Sequence, residues 1–321
     1  MGPKYLIMID FCEYNLFKIK NCRVYTDTVT DTAFIIHNQI IEGPSFQHRA
    51  VKNSDIKDNI VFKKGTPRIK KKLKGSTLSL LTGGGGNSNY WHWLFDVLPR
   101  IKLIEKNISL NDIDFFLFPD INEKFQIETL DLLKIPKKKI LNSNRYKHIF
   151  CDEMILSDHP FRLNNDSHKD AQNIPSWIIR WLKNKFINYK SVRDFPEKIF
   201  IERKNDLNGR VIENNLELYD LLKKKDFHFI KLEDYDFKDQ INIFSTAKII
   251  AGLHGAGFAN ICFSNQNTQI YEFKTSTTGM LYGNIAIKNS LQYNPIVCET
   301  VDKTGAQQGR LIVDLDQLKT V

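Results

Sequence analysis

The sequence contains no apolar run of membrane-spanning length, no CxxC pair, no early GxGxxG fingerprint and no internal repeat. Each absence removes a class. A membrane span needs about 20 consecutive apolar residues, so any membrane association is expected to be peripheral, through basic patches or a partner. Without the glycine fingerprint after an early strand, a nicotinamide-dependent Rossmann enzyme is disfavoured. The five cysteines, Cys12, Cys22, Cys151, Cys262 and Cys298, are odd in number and scattered, with no His/Cys set at zinc spacing. They read as reduced, mostly buried thiols, and a cytoplasmic location is expected. The opening MGPKYLIMIDFCEYN has its apolar patch broken by Asp10 and Glu13. It has no signal-peptide core or cleavage site, and Leu6 stands where a myristoylation signal wants Ser or Thr.

What is present is ordinary globular material, with 42% apolar residues over 321 positions. That length exceeds one typical core, so two domains are expected: residues 1–175, and residues 176–321. The net charge of +9 collects in lysine runs, Lys63 to Lys74, Lys134 to Lys139 and Lys223 to Lys225. A basic surface attracts polyanions, but no aromatics interleave these runs, so nucleic acid is not an expected partner. Residues 1 to about 80 read as short strands, among them YLIMI, TAFIIHNQII and NIVFK. From Tyr90, apolar residues recur at helical spacing through Ile104, with Pro99 expected to kink the helix. After a helix from Ser176 to about Lys190, strands and helices alternate: KIFIER, ENNLELYDLLKKK, FHFIKLE, DFKDQINIFSTA, KIIAGL, TQIYEF. Such alternation predicts an α/β fold with a parallel sheet, whose ligands bind at the carboxyl ends of its strands.

Three segments carry chemistry. KIIAGLHGAGFANICF runs from a buried strand into small residues, which let a backbone approach a ligand, and amides at the start of the following helix suit a phosphate. His254 stands in that turn, ready to donate to a phosphate oxygen. In NYWHWLFDVLPR, beside the glycines Gly83 to Gly86, His92 and Asp96 are four residues apart and share a helix face. An imidazole beside a carboxylate is a candidate general base, with either residue as the acceptor of the proton. In KIFIERKNDLNGR, Arg203 and Lys204 follow a strand directly and Arg210 comes seven residues later. Guanidinium forks at a strand's carboxyl end suit a diphosphate.

Together, NYWHWLFDVLPRI, KIFIERKND with Arg210 after it, and LHGAGFANICF followed by IYEF resemble glycosyltransferase family 61, over roughly residues 80 to 295. The resemblance implies two Rossmann-like domains of GT-B type facing a central cleft. It implies a nucleotide-diphosphate sugar donor, expected to be UDP-linked, inversion at the anomeric carbon and no obligatory metal or other cofactor. Bacterial members are often labelled capsular polysaccharide biosynthesis proteins. Position by position, Asp96 or His92 would be the base, with Asn89 and Arg100 on the acceptor side of the cleft. Arg203, Lys204 and Arg210 would hold the diphosphate. His254, Gly255, Ala256, Gly257 and Asn260 would line the nucleotide-sugar cleft, and Glu272 would hydrogen-bond the ribose. Glu202, Lys204 and Asn215 depart from the family's usual Ser, Arg and Glu. The DYD at Asp234 to Asp236 reads as the turn that opens a helix rather than a metal site. The competing reading is a non-catalytic protein that binds anionic glycan or nucleic acid through its lysines.

Overall fold

The computed structural model describes residues 4–26, 32–46, 56–81, 88–161, 167–203, 210–301 and 309–318. The glycines Gly83 to Gly86 and Lys204 lie outside them. The chain forms two compact units, Met1–Trp181 and Leu182–Val321. No helix among the described residues is long and apolar enough to cross a membrane.

The first unit is built on one mixed sheet. Its strands are β1 (Lys4–Ile9), β2 (Cys12–Thr26), β3 (Thr32–Ile36), β4 (Gln39–Ile40), β5 (Lys71–Ser79), β6 (Phe115–Phe118), β7 (Ile140–Asn142) and β8 (His148–Ser157). The order is β4-β3-β2-β8-β5-β6-β7, with β1 paired to β2. The first four strands are antiparallel to their neighbours, whereas β8, β5, β6 and β7 run parallel. The antiparallel half follows from local turn chemistry. His37 and Asn38, both at positive φ, join β3 to β4 as a tight hairpin, the conformation that matches strand twist. The parallel half places a carboxyl-terminal strand edge where ligands bind in α/β sheets.

One segment departs from the sequence reading. NIVFK is not a strand but helix α1 (Ile60–Lys64). The Asn59 side chain accepts from Val61 N at 3.1 Å, and Gly65 ends the helix with φ 68°. A capping residue before the segment and a glycine after it outweigh the strand preference of Ile and Val.

The helix expected from Tyr90 is present but composite. α2 (Tyr90–His92) passes through a π-turn at Trp93–Val97 into α3 (Pro99–Glu105). Leu98 N bonds to Trp93 O at 3.1 Å, the i to i+5 closure of a π-turn. Pro99 lacks an N–H and its ring crowds the preceding turn, so the chain widens there and the proline opens a new helix. Residues 93 to 100 are buried throughout. The remaining helices of this unit are α4 (Lys124–Leu132) and α5 (Ser167–Ala171), and α6 (Ser176–Phe186) carries the boundary between the units.

The second unit is a doubly wound sheet. Its main strands are β9 (Lys198–Glu202), β11 (His228–Lys231), β12 (Ile249–Leu253), β13 (Gln269–Lys274) and β14 (Gln292–Val297). All are parallel, in the order β11-β9-β12-β13-β14. Parallel neighbours require crossovers. Helices α7 (Asn215–Lys224), α8 (Phe237–Thr246) and α9 (Leu281–Lys288), with a 3-10 helix at Ala256–Phe263, supply them. The chain order reverses between β9 and β12, and the crevice at such a switch point is where doubly wound sheets bind ligands. The sequence reading missed a second small sheet of β10 (Arg210–Ile212), β15 (Glu299–Thr300) and β16 (Gly309–Ile312). Its strands are two to four residues long, too short to show a period, and β10 finds its partner about a hundred positions along the chain.

The DYD does open a helix. Asp236 accepts from Asp239 N at 2.8 Å and caps α8. Asp236→Ala is expected to lower unfolding stability by about 1 kcal/mol, the usual worth of such a cap, read as a fall in the denaturant midpoint at unchanged slope.

Candidate active site

The first cluster lies at the start of the composite helix in the first unit. Asn89 caps that helix, its side chain accepting from His92 N at 3.2 Å. This fixes the turn on which His92 stands, so Asn89 acts on the site through the backbone. His92 Nδ1 meets Asp96 Oδ2 at 2.8 Å. The imidazole is 30% exposed and the carboxylate 0%. A group with no exposure cannot touch an acceptor sugar, so the pair has one accessible member, His92, backed by a buried partner. Arg100, expected at the cleft, is only 2% exposed. It donates from Nε to the Asp96 carbonyl at 3.2 Å. It braces the widened turn from beneath, where the i to i+4 ladder is disturbed.

Around this pair sits an aromatic shell that the sequence did not single out. The Trp91 ring lies 4.9 Å from His92, 5.4 Å from Phe95 and 5.7 Å from Phe161. His159 Nε2 lies 4.0 Å from the same Asp96 oxygen, Oδ2. No spacing rule connects His159 to Asp96, because β8 and the composite helix meet only in the folded unit. Burial pushes the Asp158 carboxyl up, against the hydrogen bonds from Asn15 and the weaker pull of Lys4 and Arg100.

The second cluster occupies the switch point of the second unit. β9 ends at Glu202 and delivers Arg203, while β12 ends at Leu253 and delivers His254. Arg203 Nη1 donates to the His254 carbonyl at 2.9 Å, and Arg210 Nη1 donates to the same oxygen at 2.8 Å. Two guanidinium groups thus meet at one neutral acceptor. Burial holds Arg203 below its ordinary range. Burial and then the charge of Arg203 do the same to Arg210. An anion placed here would relieve both effects.

The glycines of the turn are needed for space, not for unusual dihedrals. Gly255 is extended, with φ 177°, but a Cβ there would come within 2.3 Å of Arg203 Nη1. At Gly257 a Cβ would meet Leu232 Cδ1 at 2.7 Å. Gly255 therefore admits the arginine, and Gly257 admits the neighbouring core. Ala256 begins the segment expected as an α-helix, which is instead the 3-10 helix. Asn260 is fully buried and donates to Gln240 Oε1 at 3.0 Å, tying that segment to α8.

Glu272 also differs from expectation. Its side chain is 0% exposed. One oxygen takes His254 Nδ1 and the other accepts from the Tyr293 hydroxyl. A carboxylate so enclosed has no face for a ribose. It orients the His254 ring instead, as a partner carboxylate commonly fixes an imidazole. Burial and then the nearby Glu272 charge push the Tyr293 and Tyr282 phenols far up, so both stay neutral donors.

Lys274, Thr275 and Thr278, absent from the sequence reading, complete the surroundings. With Arg210 and His254 they line a shallow, open pocket whose other wall is β16. Lys274 Nζ donates to Gly279 O at 2.6 Å, and the Thr275 and Thr278 hydroxyls lie 2.9 Å apart. A second open depression is lined by Phe200, Arg203, Arg210 and Tyr219. Cations and hydroxyls at strand carboxyl ends are suited to phosphate oxygens. Among the described residues no group of three or more His, Cys, Asp or Glu side chains is arranged to hold a metal ion.

No curated protein matches the chain. The family model described as Glycosyltransferase 61 matches residues 90–271, more than half of the chain. That span holds His92, Asp96, Arg203, Arg210 and His254, the groups that the two clusters are built on. On this match the chain belongs to glycosyltransferase family 61.

Proposed function

We propose that this glycosyltransferase moves a sugar from a nucleotide-diphosphate donor, UDP-linked, onto a glycan hydroxyl with inversion, as a step in polysaccharide synthesis. The observation that carries the reading is the convergence of Arg203 and Arg210 on one carbonyl at the switch point of a doubly wound sheet. Two partly buried cations and a histidine held by a buried carboxylate suit a dianionic diphosphate better than a neutral sugar.

The chemistry is a single displacement. The acceptor oxygen attacks the anomeric carbon as the bond from that carbon to the diphosphate oxygen breaks. His92 takes the hydroxyl proton, because it is the accessible member of its pair. Asp96 holds the ring in one tautomer and stabilises the imidazolium that forms, the role a buried carboxylate plays behind a histidine base. Negative charge grows on the departing nucleoside diphosphate. Arg203, Arg210, Lys274 and the threonine hydroxyls are placed to receive it, and the proposed step uses no metal ion. The proposal assigns the acceptor to the first unit and the donor to the second, in the GT-B manner. That division is supported by what each unit carries: the His92–Asp96 pair in one, and Arg203 and Arg210 at strand ends in the other.

The test is a thermal-shift titration of the purified protein with UDP, GDP, CMP and their sugars. A ligand at 100 times its Kd adds about 2.7 kcal/mol to the folded state, so the matching nucleotide is expected to raise Tm by several degrees. Arg203→Ala is expected to lose that shift. No shift with any nucleoside diphosphate, at concentrations up to millimolar, would remove the donor assignment.

A further inference from the structure

We infer that His159 is a positioning residue for the His92–Asp96 pair, acting on the reaction through the Asp96 carboxylate. The inference rests on the assignment of His92 as the base. Three observations carry it.

First, two imidazoles approach one oxygen of Asp96. Its Oδ2 takes His92 Nδ1 at 2.8 Å and has His159 Nε2 at 4.0 Å, a charge–dipole distance longer than a hydrogen bond. Second, the tautomer of His159 follows from its other nitrogen. Phe161 N points to His159 Nδ1 at 3.4 Å, which makes Nδ1 an acceptor and leaves the ring proton on Nε2, toward Asp96. Third, the other Asp96 oxygen, Oδ1, is buried without a hydrogen-bond partner among the described residues. A buried carboxylate with an unsatisfied oxygen is costly, and it turns readily unless neighbours hold it.

The surroundings make His159 rigid. It is 2% exposed and its ring packs edge-on against Phe161 at 4.5 Å. Phe161 in turn packs on Trp91, which touches His92. The shell therefore joins the two imidazoles through aromatic contacts as well as through the carboxylate. When a proton arrives on His92, the charge on Asp96 that faces it must stay in line with Nδ1. A fixed N–H dipole near the same oxygen disfavours rotation of the carboxylate about its Cβ–Cγ bond. His159 touches no substrate in this scheme and supplies only orientation.

A double-mutant cycle on the full-length protein tests this, with transfer from the donor that the thermal-shift titration selects. His159→Phe keeps the ring and removes the N–H. It is expected to lower kcat about tenfold to a hundredfold, the cost of a small misplacement of a reacting group, with KM for donor and acceptor unchanged. His159→Gln, whose amide N–H reaches the place of Nε2, is expected to recover most of kcat. His159→Asn, equally polar but too short, is expected to share the loss, and it carries the test if the phenylalanine variant does not fold. In an Asp96→Asn background the same substitutions are expected to cost nothing further, because the group they act through has gone. An equal loss in both backgrounds, or full kcat in both His159→Phe and His159→Asn, overturns the inference. Full activity in His92→Ala is a different result: it removes the base assignment itself, and this inference with it.

Discussion

His92→Ala is expected to lower kcat by about 10²- to 10⁴-fold, the range that a positioned general base contributes, with donor Kd unchanged. The geometry makes this a sharp test. His92 and Asp96 are the only sequence-expected base candidates, and they differ in one decisive respect, exposure of 30% against 0%. A carboxylate that solvent does not reach cannot take a proton from a sugar hydroxyl directly. Asp96→Asn should therefore also lose activity, through a wrong ring tautomer at His92, although it leaves the accessible group in place. Transfer and donor hydrolysis, followed together by nucleotide release, separate the two roles. Loss of transfer with intact donor binding is expected of both variants. Wild-type kcat in His92→Ala, with Asp96→Asn inactive, would hand the base role to another group.

Arg203→Ala is expected to lower kcat by about 10²- to 10³-fold, the cost of removing one donor from a charge developing in the transition state. Arg210→Ala should cost a similar amount. The double variant should cost less than the product of the two. Both guanidinium groups share the His254 carbonyl, and each lies in the field of the other. Residues that meet at one acceptor are coupled, so their effects do not add. Arg203→Lys keeps the charge but not the planar fork, and is expected to recover only part of kcat. Isothermal titration with the nucleoside diphosphate gives the ground-state share of the loss. Additive losses would mean that the two arginines serve different parts of the substrate, against the single-anion reading.

The two clusters show different degrees of legibility. Arg203 and His254 were readable because each follows a buried strand of a regular alternation, and parallel strands present their carboxyl ends together. Lys274 ends such a strand too, in IYEFK, but a lysine there looks like any surface lysine until its burial is known. Glu272 was visible as a residue but not in its role. One position further along a strand would face the opposite side of the sheet, and only the register with β12 and β14 sends its carboxylate to His254 and Tyr293. The burial of Asn260 and Arg100 was not legible for a related reason. A polar residue in a motif reads as a ligand contact, whereas here each satisfies buried backbone or side-chain groups of its own unit.

What this sequence determined by itself was local: the alternation of the second unit, the helical spacing that sets His92 four residues before Asp96, the capping of α8 by Asp236, and the family to which the motifs belong. These depend on periodicity and on neighbours within a few positions, which a chain carries before it folds. Only the tertiary structure decided which member of the His–Asp pair is exposed, that His159 comes close to Asp96, and that two arginines share one carbonyl. Those outcomes arise from contacts between segments tens of residues apart. Their geometry is set by strand register and core packing, and neither is written in any short stretch of residues.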